Sequence, residues 1–266
     1  MKKDKIFINV IRAAIVAGFL ILWEIAAVNN WVSIYYTSKP SEIILDLINF
    51  TTSGELMKHA SITLKEALTG LFYGSIIGIS AGLIFGQFST IGKIFTPIIT
   101  AIHGIPQLTL APVYILWFGI GFASKVFLAG LMTFFSVFFS TYNAILTMEQ
   151  NLIESASLLG AKKYQILLHV VLPTCTPWII AGVRTGLGAS LVGAIVGEYM
   201  GASAGFGWMV AYATSYFNIK RVMSCIVILL LVGIVMNAGL DRIEKILLRW
   251  RTQTSLSIET KNESKC

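Results

Sequence analysis

The stretch Glu154-Ser155-Ala156-Ser157-Leu158-Leu159-Gly160, continued by Val170-Val171-Leu172-Pro173, is a polar insert between two long apolar runs. Its residue types favour helix up to Gly160, the one residue there that enters the left-handed region without cost and so ends a helix. Asn151 is placed to cap the first helix, with Glu154 at its third position, a variant of the capping box. A second short helix is expected from about Lys162 to His169, closed by Pro173, which lacks the N–H that a helix interior needs. The insert therefore reads as helix, sharp bend, helix, lying at a membrane surface. An ordinary interfacial loop has no reason to hold Glu, Gly and Leu-Pro at these intervals.

The membrane follows from composition. The chain has 266 residues, 56% hydrophobic and 12% charged. Soluble domains carry about 25% charged residues, so apolar surface on this scale needs lipid as its solvent. The net charge of +7 is then a statement about orientation, and nucleic-acid binding is set aside. Cys175, Cys225 and Cys266 match no metal or redox spacing and read as small apolar fillers and a tail thiol. Lys2, Lys3 and Lys5 before an apolar run resemble a signal peptide. That run, from about Ile6 to Val28, is too long, and no small-residue cleavage site follows, so it reads as a retained first span.

A helical span needs about 20 mostly apolar residues. Six segments qualify: roughly 8–28, 64–86, 94–118, 125–147, 176–199 and 222–246. Residues 30–62 form a mixed segment in which Pro40-Ser41-Glu42, then Ile43, Ile44, Leu47 and Ile48, predict a short amphipathic helix. Residues 1–251 form the membrane domain, and 252–266 are a polar tail expected to be disordered. With both termini inside, the cytoplasmic side holds Lys2, Lys3, Lys5, Arg12, Lys93, Lys162, Lys163, Arg242, Lys245, Arg249, Arg251, Lys261 and Lys265. The outside holds only Lys39, Lys58, Lys65, Lys125, Lys220 and Arg221. The bias favours cytoplasmic termini, and it independently puts the 148–172 insert inside.

Gly70, Gly74, Gly78, Gly82 and Gly86 recur every four residues along the second span. They lay a flat ridge that lets backbones approach, which matters where lipid gives no hydrophobic drive for helix association. Gly182 and Gly186, then Gly193, Gly197 and Gly201, repeat the device in the fifth span. The third span holds Pro97, Pro106 and Pro112, with His103 and Gln107 beside the break they predict. Broken helix at membrane depth is tolerated only against protein or a water-filled cavity, so His103 and Gln107 are candidate pathway residues. Arg184 and Glu198 lie inside the fifth span, and intramembrane charges mark pathways or gates. Fourteen residues apart, or about 21 Å of rise, they cannot pair with each other along one helix. Snorkelling of Arg184 toward headgroups and an interfacial position for Glu198 are the plainer alternatives, and Glu24 is a weaker candidate. No catalytic motif is present. His59, His103 and His169 are isolated, no residues are assigned to a metal, and the Gly86 to Gly92-Lys93 stretch has the wrong spacing for a phosphate loop.

The 154–173 stretch resembles the EAA loop of ABC-importer permeases, whose pattern is Glu-Ala-Ala, three residues, Gly, nine residues, then Ile-x-Leu-Pro. The spacing matches throughout, with Ser155 for the second-position Ala and Val170 for Ile. Ile105-Pro106, Ala111-Pro112 and Trp117-Phe118-Gly119-Ile120-Gly121 are similar to the permeases of nitrate, taurine and aliphatic sulfonate importers. Gly182-Val183-Arg184 matches a common Gly-x-Arg of the family. The resemblance covers about residues 54–240 and implies an all-α polytopic protein with about six spans and a cytoplasmic helix–turn–helix. It implies that Glu154, Ser155, Ala156, Gly160, Ala161, Leu172 and Pro173 couple the chain to a separate ABC ATPase, which holds the ATP and Mg. It further implies a homodimer in the inner membrane, fed by an extracytoplasmic binding protein. The expected cargo is a small anionic or zwitterionic solute such as a sulfonate, taurine or nitrate, with a thiamin-precursor pyrimidine or other vitamin precursor as the alternative. An ion-coupled secondary transporter is the rival reading. It would want intramembrane acidic relays, and only Glu24 and Glu198 are on offer.

Overall fold

A computed structural model describes residues 2–248, and every regular element among them is a helix. The polar tail 252–266, together with Arg249, Arg251 and Cys266, lies outside the described residues. Helix α1 (Lys2–Val28) is followed by the single turn α2 (Ile34–Thr37), α3 (Pro40–Thr52), α4 (Glu55–Gln87) and α5 (Ser89–His103). After a 3-10 turn at Gln107–Leu110 come α6 (Ala111–Phe118), α7 (Phe122–Leu146), α8 (Gln150–Leu158) and α9 (Lys163–Ile166). Then a π turn, Leu167–Val171, runs into α10 (Leu172–Gly201), before α11 (Phe206–Ser215) and α12 (Ile219–Leu247). Five helical stretches are long and apolar enough to cross a membrane, and the α5 and α6 region makes a sixth if counted as one broken span.

The predicted amphipathic helix is α3, with Pro40 in its first turn, where the missing N–H is no loss. Its start is held by Glu24 of α1, whose carboxylate accepts the Ser41 N–H at 3.0 Å and the Ser41 hydroxyl at 2.8 Å. The third span breaks at Gly104–Pro106, as the prolines require, while Pro97 lies within α5 without ending it. Pro112 sits in the first turn of α6. Two expectations about the insert need correction. Asn151 lies inside α8, which begins at Gln150 after Glu149. Pro173 closes no helix. It opens α10, where a proline in the first turn is harmless, and the chain is helical without a gap from Lys163 to Gly201.

The contacts divide the chain into two compact units to which α4, α7, α10 and α12 all contribute. In the first, comprising 1–70, 106–129 and 190–232, Phe50, Ala60, Phe206, Met209, Cys225 and Ile228 form the core. Ala67, Ala129 and Ala194 meet in a second small cluster, where only methyl groups separate α4, α7 and α10. Arg221 lies over the Phe50 ring at 4.2 Å, its Nε 2.9 Å from Asp46 and its Nη1 3.3 Å from Glu55.

In the second unit, comprising 71–105, 130–189 and 233–266, α7 lies against both glycine ridges. A Cβ on Gly78 would stand 3.0 Å from the Phe134 carbonyl oxygen, and one on Gly82 2.7 Å from the Thr141 Cβ. A Cβ on Gly86 would stand 2.6 Å from Ile145 Cδ1, and Gly74 faces the Gly130 carbonyl. From α10, Gly182 meets Ser140 and Gly186 meets Thr133. In the first unit Gly70 is buried, Gly193 lies against Ala129, and Gly197 lies against Lys125. The ridges face α7 because close backbone approach, rather than hydrophobic drive, holds helices together in lipid.

Candidate functional site

The 150–173 insert is built as a stiff turn. Gly160 has φ +82°, in the region where other residues are strained. Its N–H donates to the Ser157 carbonyl at 2.9 Å, and the Ala161 N–H reaches back to the Ala156 carbonyl at 3.1 Å. This pair of bonds is the Schellman arrangement, which satisfies the carbonyls left over at a helix end. Gln165 Oε1 then accepts the Lys162 N–H at 2.7 Å and starts α9. On the inner side of the turn, Ile153, Ile166 and Leu167 pack on a core of Ala144, Ile145, Met148, Val171 and Cys175. On the outer side Leu158 and Leu159 are each 89% exposed, with Tyr164 and Leu168 also outward. Exposed apolar side chains on a rigid polar turn mark a contact surface. Glu154 and Ser155 lie on α8, and Leu172 and Pro173 begin α10, so the matched positions span the whole element.

Arg184 does not stand alone. Its Nη2 lies 2.7 Å from Asp241, and Glu244 is its second partner, so α10 is tied to α12 by a half-exposed ion cluster in the second unit. His103, exposed at the end of α5, lies beside Phe135 and Phe139, at ring distances of 4.7 and 5.3 Å. In the first unit Gln107 is buried and accepts the Tyr114 hydroxyl at 2.8 Å.

Glu198 is fully buried in the first unit. Its Oε1 accepts the Thr63 hydroxyl at 2.6 Å, and its Oε2 accepts the Gly207 N–H at 2.7 Å. Thr63 in turn accepts the Phe206 N–H, and His59 Nδ1 accepts the Gly205 N–H, both at 2.9 Å. Three successive N–H groups at the start of α11 are therefore each taken by a buried side chain. These are the donors a helix leaves unmet, and a carboxylate there also suits the helix dipole. Gly205, at φ +109°, cannot carry a side chain, because a Cβ would run into the Glu198 carboxylate. Glu66 of α4 is also buried in this unit. Lys125 of α7 donates to the Gly201 carbonyl at 2.6 Å.

Sequence reasoning passed over four members of this cluster: His59, Thr63, Glu66 and Lys125. The signal was there. Positions 59, 63 and 66 follow the i, i+4, i+7 spacing that shares one helix face. Among the described residues no group of His, Cys, Asp and Glu is arranged to hold a metal.

Apolar helices long enough to span, a broken third segment and a rigid polar turn with apolar tips define a multi-span membrane protein. The comparisons with known proteins make the class specific. Residues 74–252 match the family described as binding-protein-dependent transport system inner membrane component, and the chain belongs to that family. It is the membrane-embedded permease component of an ABC importer. It is 31% identical to a Bacillus subtilis protein described as an aliphatic sulfonates transport permease, SsuC, over 88% of this chain and 85% of that one. It is 30% identical to the riboflavin transport system permease protein RibX of Chloroflexus aurantiacus, over 87% of this chain and 86% of that one. A chain of the inward-facing MetNI methionine ABC transporter superposes with a TM-score of 0.65 at 20% identity, covering 74% of this chain and 98% of that one. That last likeness is one of fold.

Proposed function

We propose that two copies of this chain form the translocation core, that an ABC ATPase binds each 150–173 turn, and that a binding protein delivers solute on the opposite face. Both termini then lie on the ATPase side, in agreement with the distribution of Lys and Arg. The partner ATPase holds ATP and Mg. Its closure moves the turn, and α10, continuous with that turn, carries the movement into the membrane. The carrying observation is the Schellman-closed bend that offers Leu158 and Leu159 outward while Ile153, Ile166 and Leu167 hold its inner side.

We propose a small anionic or zwitterionic organic solute as cargo, supported by the relative described as a sulfonates permease. A vitamin-type cargo is the second reading, favoured by the riboflavin permease at nearly the same identity. Arg184 adds no free positive charge to this argument, since Asp241 and Glu244 already face it.

The test of coupling is Gly160→Val. A β-branched residue at φ +82° costs about 1–2 kcal/mol locally and opens the bend. The variant is expected to insert normally, fail to co-purify with its ATPase, and lose uptake. Wild-type uptake in a correctly inserted variant overturns the assignment. In membranes holding the complete importer, uptake of a labelled alkanesulfonate should be competed by taurine and not by riboflavin, and the reverse result would favour the vitamin reading.

A further inference from the structure

We propose that the cavity between the start of α4 and α11 binds an aryl anion, a planar ring that carries a sulfonate, carboxylate or phosphate group. All its lining residues belong to the first unit.

The ring follows from a ladder of aromatic side chains. Trp208, Tyr212 and Tyr216 are four residues apart along α11 and just past its end, so they share one face. Trp208 stacks on His59 of α4 at a centroid distance of 5.5 Å and an interplanar angle of 7°. Tyr212 stacks on Trp208 at 5.2 Å, and Tyr216 meets Tyr212 at 4.8 Å, tilted by 49°. There the ladder stops. Among the described residues no further ring meets Tyr216, which is 70% exposed. Aromatic belts at a membrane surface hold their rings at headgroup level. These rings instead stack on a buried histidine and line a cavity of about 400 Å³. Small-molecule sites have that size, with aromatic walls and a few placed polar groups. A planar solute prolongs the ladder through offset or edge-to-face contacts, whereas a short alkyl chain leaves most of the wall wet.

The anionic group follows from which charges on the wall are already paired. Arg221 lines the cavity, but its Nη2 donates to Asp46 at 3.1 Å and its Nη1 lies 3.3 Å from Glu55. That contact also occupies Glu55, the carboxylate on this wall. Lys58 lines the cavity too, is exposed, and makes no ion pair among the described residues. His59 is 3% exposed, and its Nδ1 accepts the Gly205 N–H, which leaves the proton of the neutral ring on Nε2. Nε2 has no partner among the described residues. An unpaired ammonium beside an unpartnered, buried N–H donor suits an anionic oxygen. The ring and the charge are thus recognised by different residues, which lets them be tested apart. In the proposed topology the cavity opens on the outer face. That sidedness rests on the proposed function, whereas the site does not.

The test uses the full-length chain in lipid nanodiscs, with 2-naphthalenesulfonate as probe and empty nanodiscs as the reference. Calorimetry should show saturable binding, one probe per chain, that methanesulfonate does not displace even in large excess. Tyr216→Leu keeps an apolar side chain at an exposed position and should raise Kd about fivefold. Lys58→Gln should raise it about threefold, as expected for an exposed ionic contact. Binding no greater than to empty nanodiscs overturns the proposal. So does equal displacement by methanesulfonate or an unchanged Kd in Tyr216→Leu, which would remove the ring from recognition. An unchanged Kd in Lys58→Gln overturns the anionic class. In sealed vesicles of known orientation the membrane-impermeant probe should reach the site from the outer face. Access only from the ATPase side would contradict the proposed orientation and leave the site standing.

Discussion

Arg184 is half-exposed, and its charge is shared by Asp241 and Glu244. An exposed ion pair contributes about 0–1 kcal/mol, because solvent screens it and two long side chains must be held still. Such a pair can break and reform cheaply, which suits a contact that changes during transport and suits a fixed anchor poorly. Arg184→Gln should therefore leave the yield and melting temperature of the complex nearly unchanged while lowering uptake several-fold. Parallel loss of complex and uptake would make Arg184 a structural tie only. Glu198 has the opposite character. It is fully buried and takes two short hydrogen bonds, each bond to a charged group contributing about 1.5–3 kcal/mol. Both residues stand out in the sequence as charges in an apolar span, and that much was legible. Their difference was not, because it depends on partners 60 and 135 residues away in the chain. Residues 59, 63 and 66 were legible in principle as a polar stripe on one face, but the donors that His59 and Thr63 serve belong to the backbone at the start of α11. No side-chain pattern announces a backbone donor.

At the scale of elements, the glycine register was the most readable feature and the structure uses it directly. Gly74, Gly78, Gly82 and Gly86 lie against α7 wherever a Cβ would meet backbone or a β-branched side chain. Gly78→Leu would force a whole side chain into a space where its first carbon already stands 3.0 Å from Val137 Cβ. Overpacking of this kind costs about 1–3 kcal/mol. The expected outcome is a lower melting temperature and poor recovery in detergent at unchanged message level. Full stability would mean that this ridge faces lipid instead. The insert was legible in type, with its bend at Gly160 where the glycine stands. Its exit was not. Pro173 looked like a stop, yet a proline within the first turn is compatible with a helix, and a π turn at Leu167–Val171 joins α9 to α10. That continuity gives the proposed coupling its mechanical route, since a movement of α9 has no flexible linker in which to dissipate.

For the whole molecule, the family assignment accounts for the spans, the broken third segment and the rigid turn together. The proposed orientation rests on charge. Two of the basic residues counted outside, Lys125 and Arg221, are buried or mostly buried and bonded within the protein, so they carry no orientation signal, and the inside bias is stronger without them. Reporter fusions after Asn30 and Ser203 should read external, and fusions after Gln150 and Cys266 internal. An external signal at Gln150 would remove the turn from reach of any ATPase. The most direct measurement concerns Leu159, whose side chain is 89% exposed at the tip of the bend. A photo-crosslinking amino acid placed there, in the native host, should form one dominant adduct, and mass spectrometry should identify it as an ABC ATPase carrying nucleotide-binding motifs. Adducts to lipid alone, or to a protein from the opposite side of the membrane, would contradict the account.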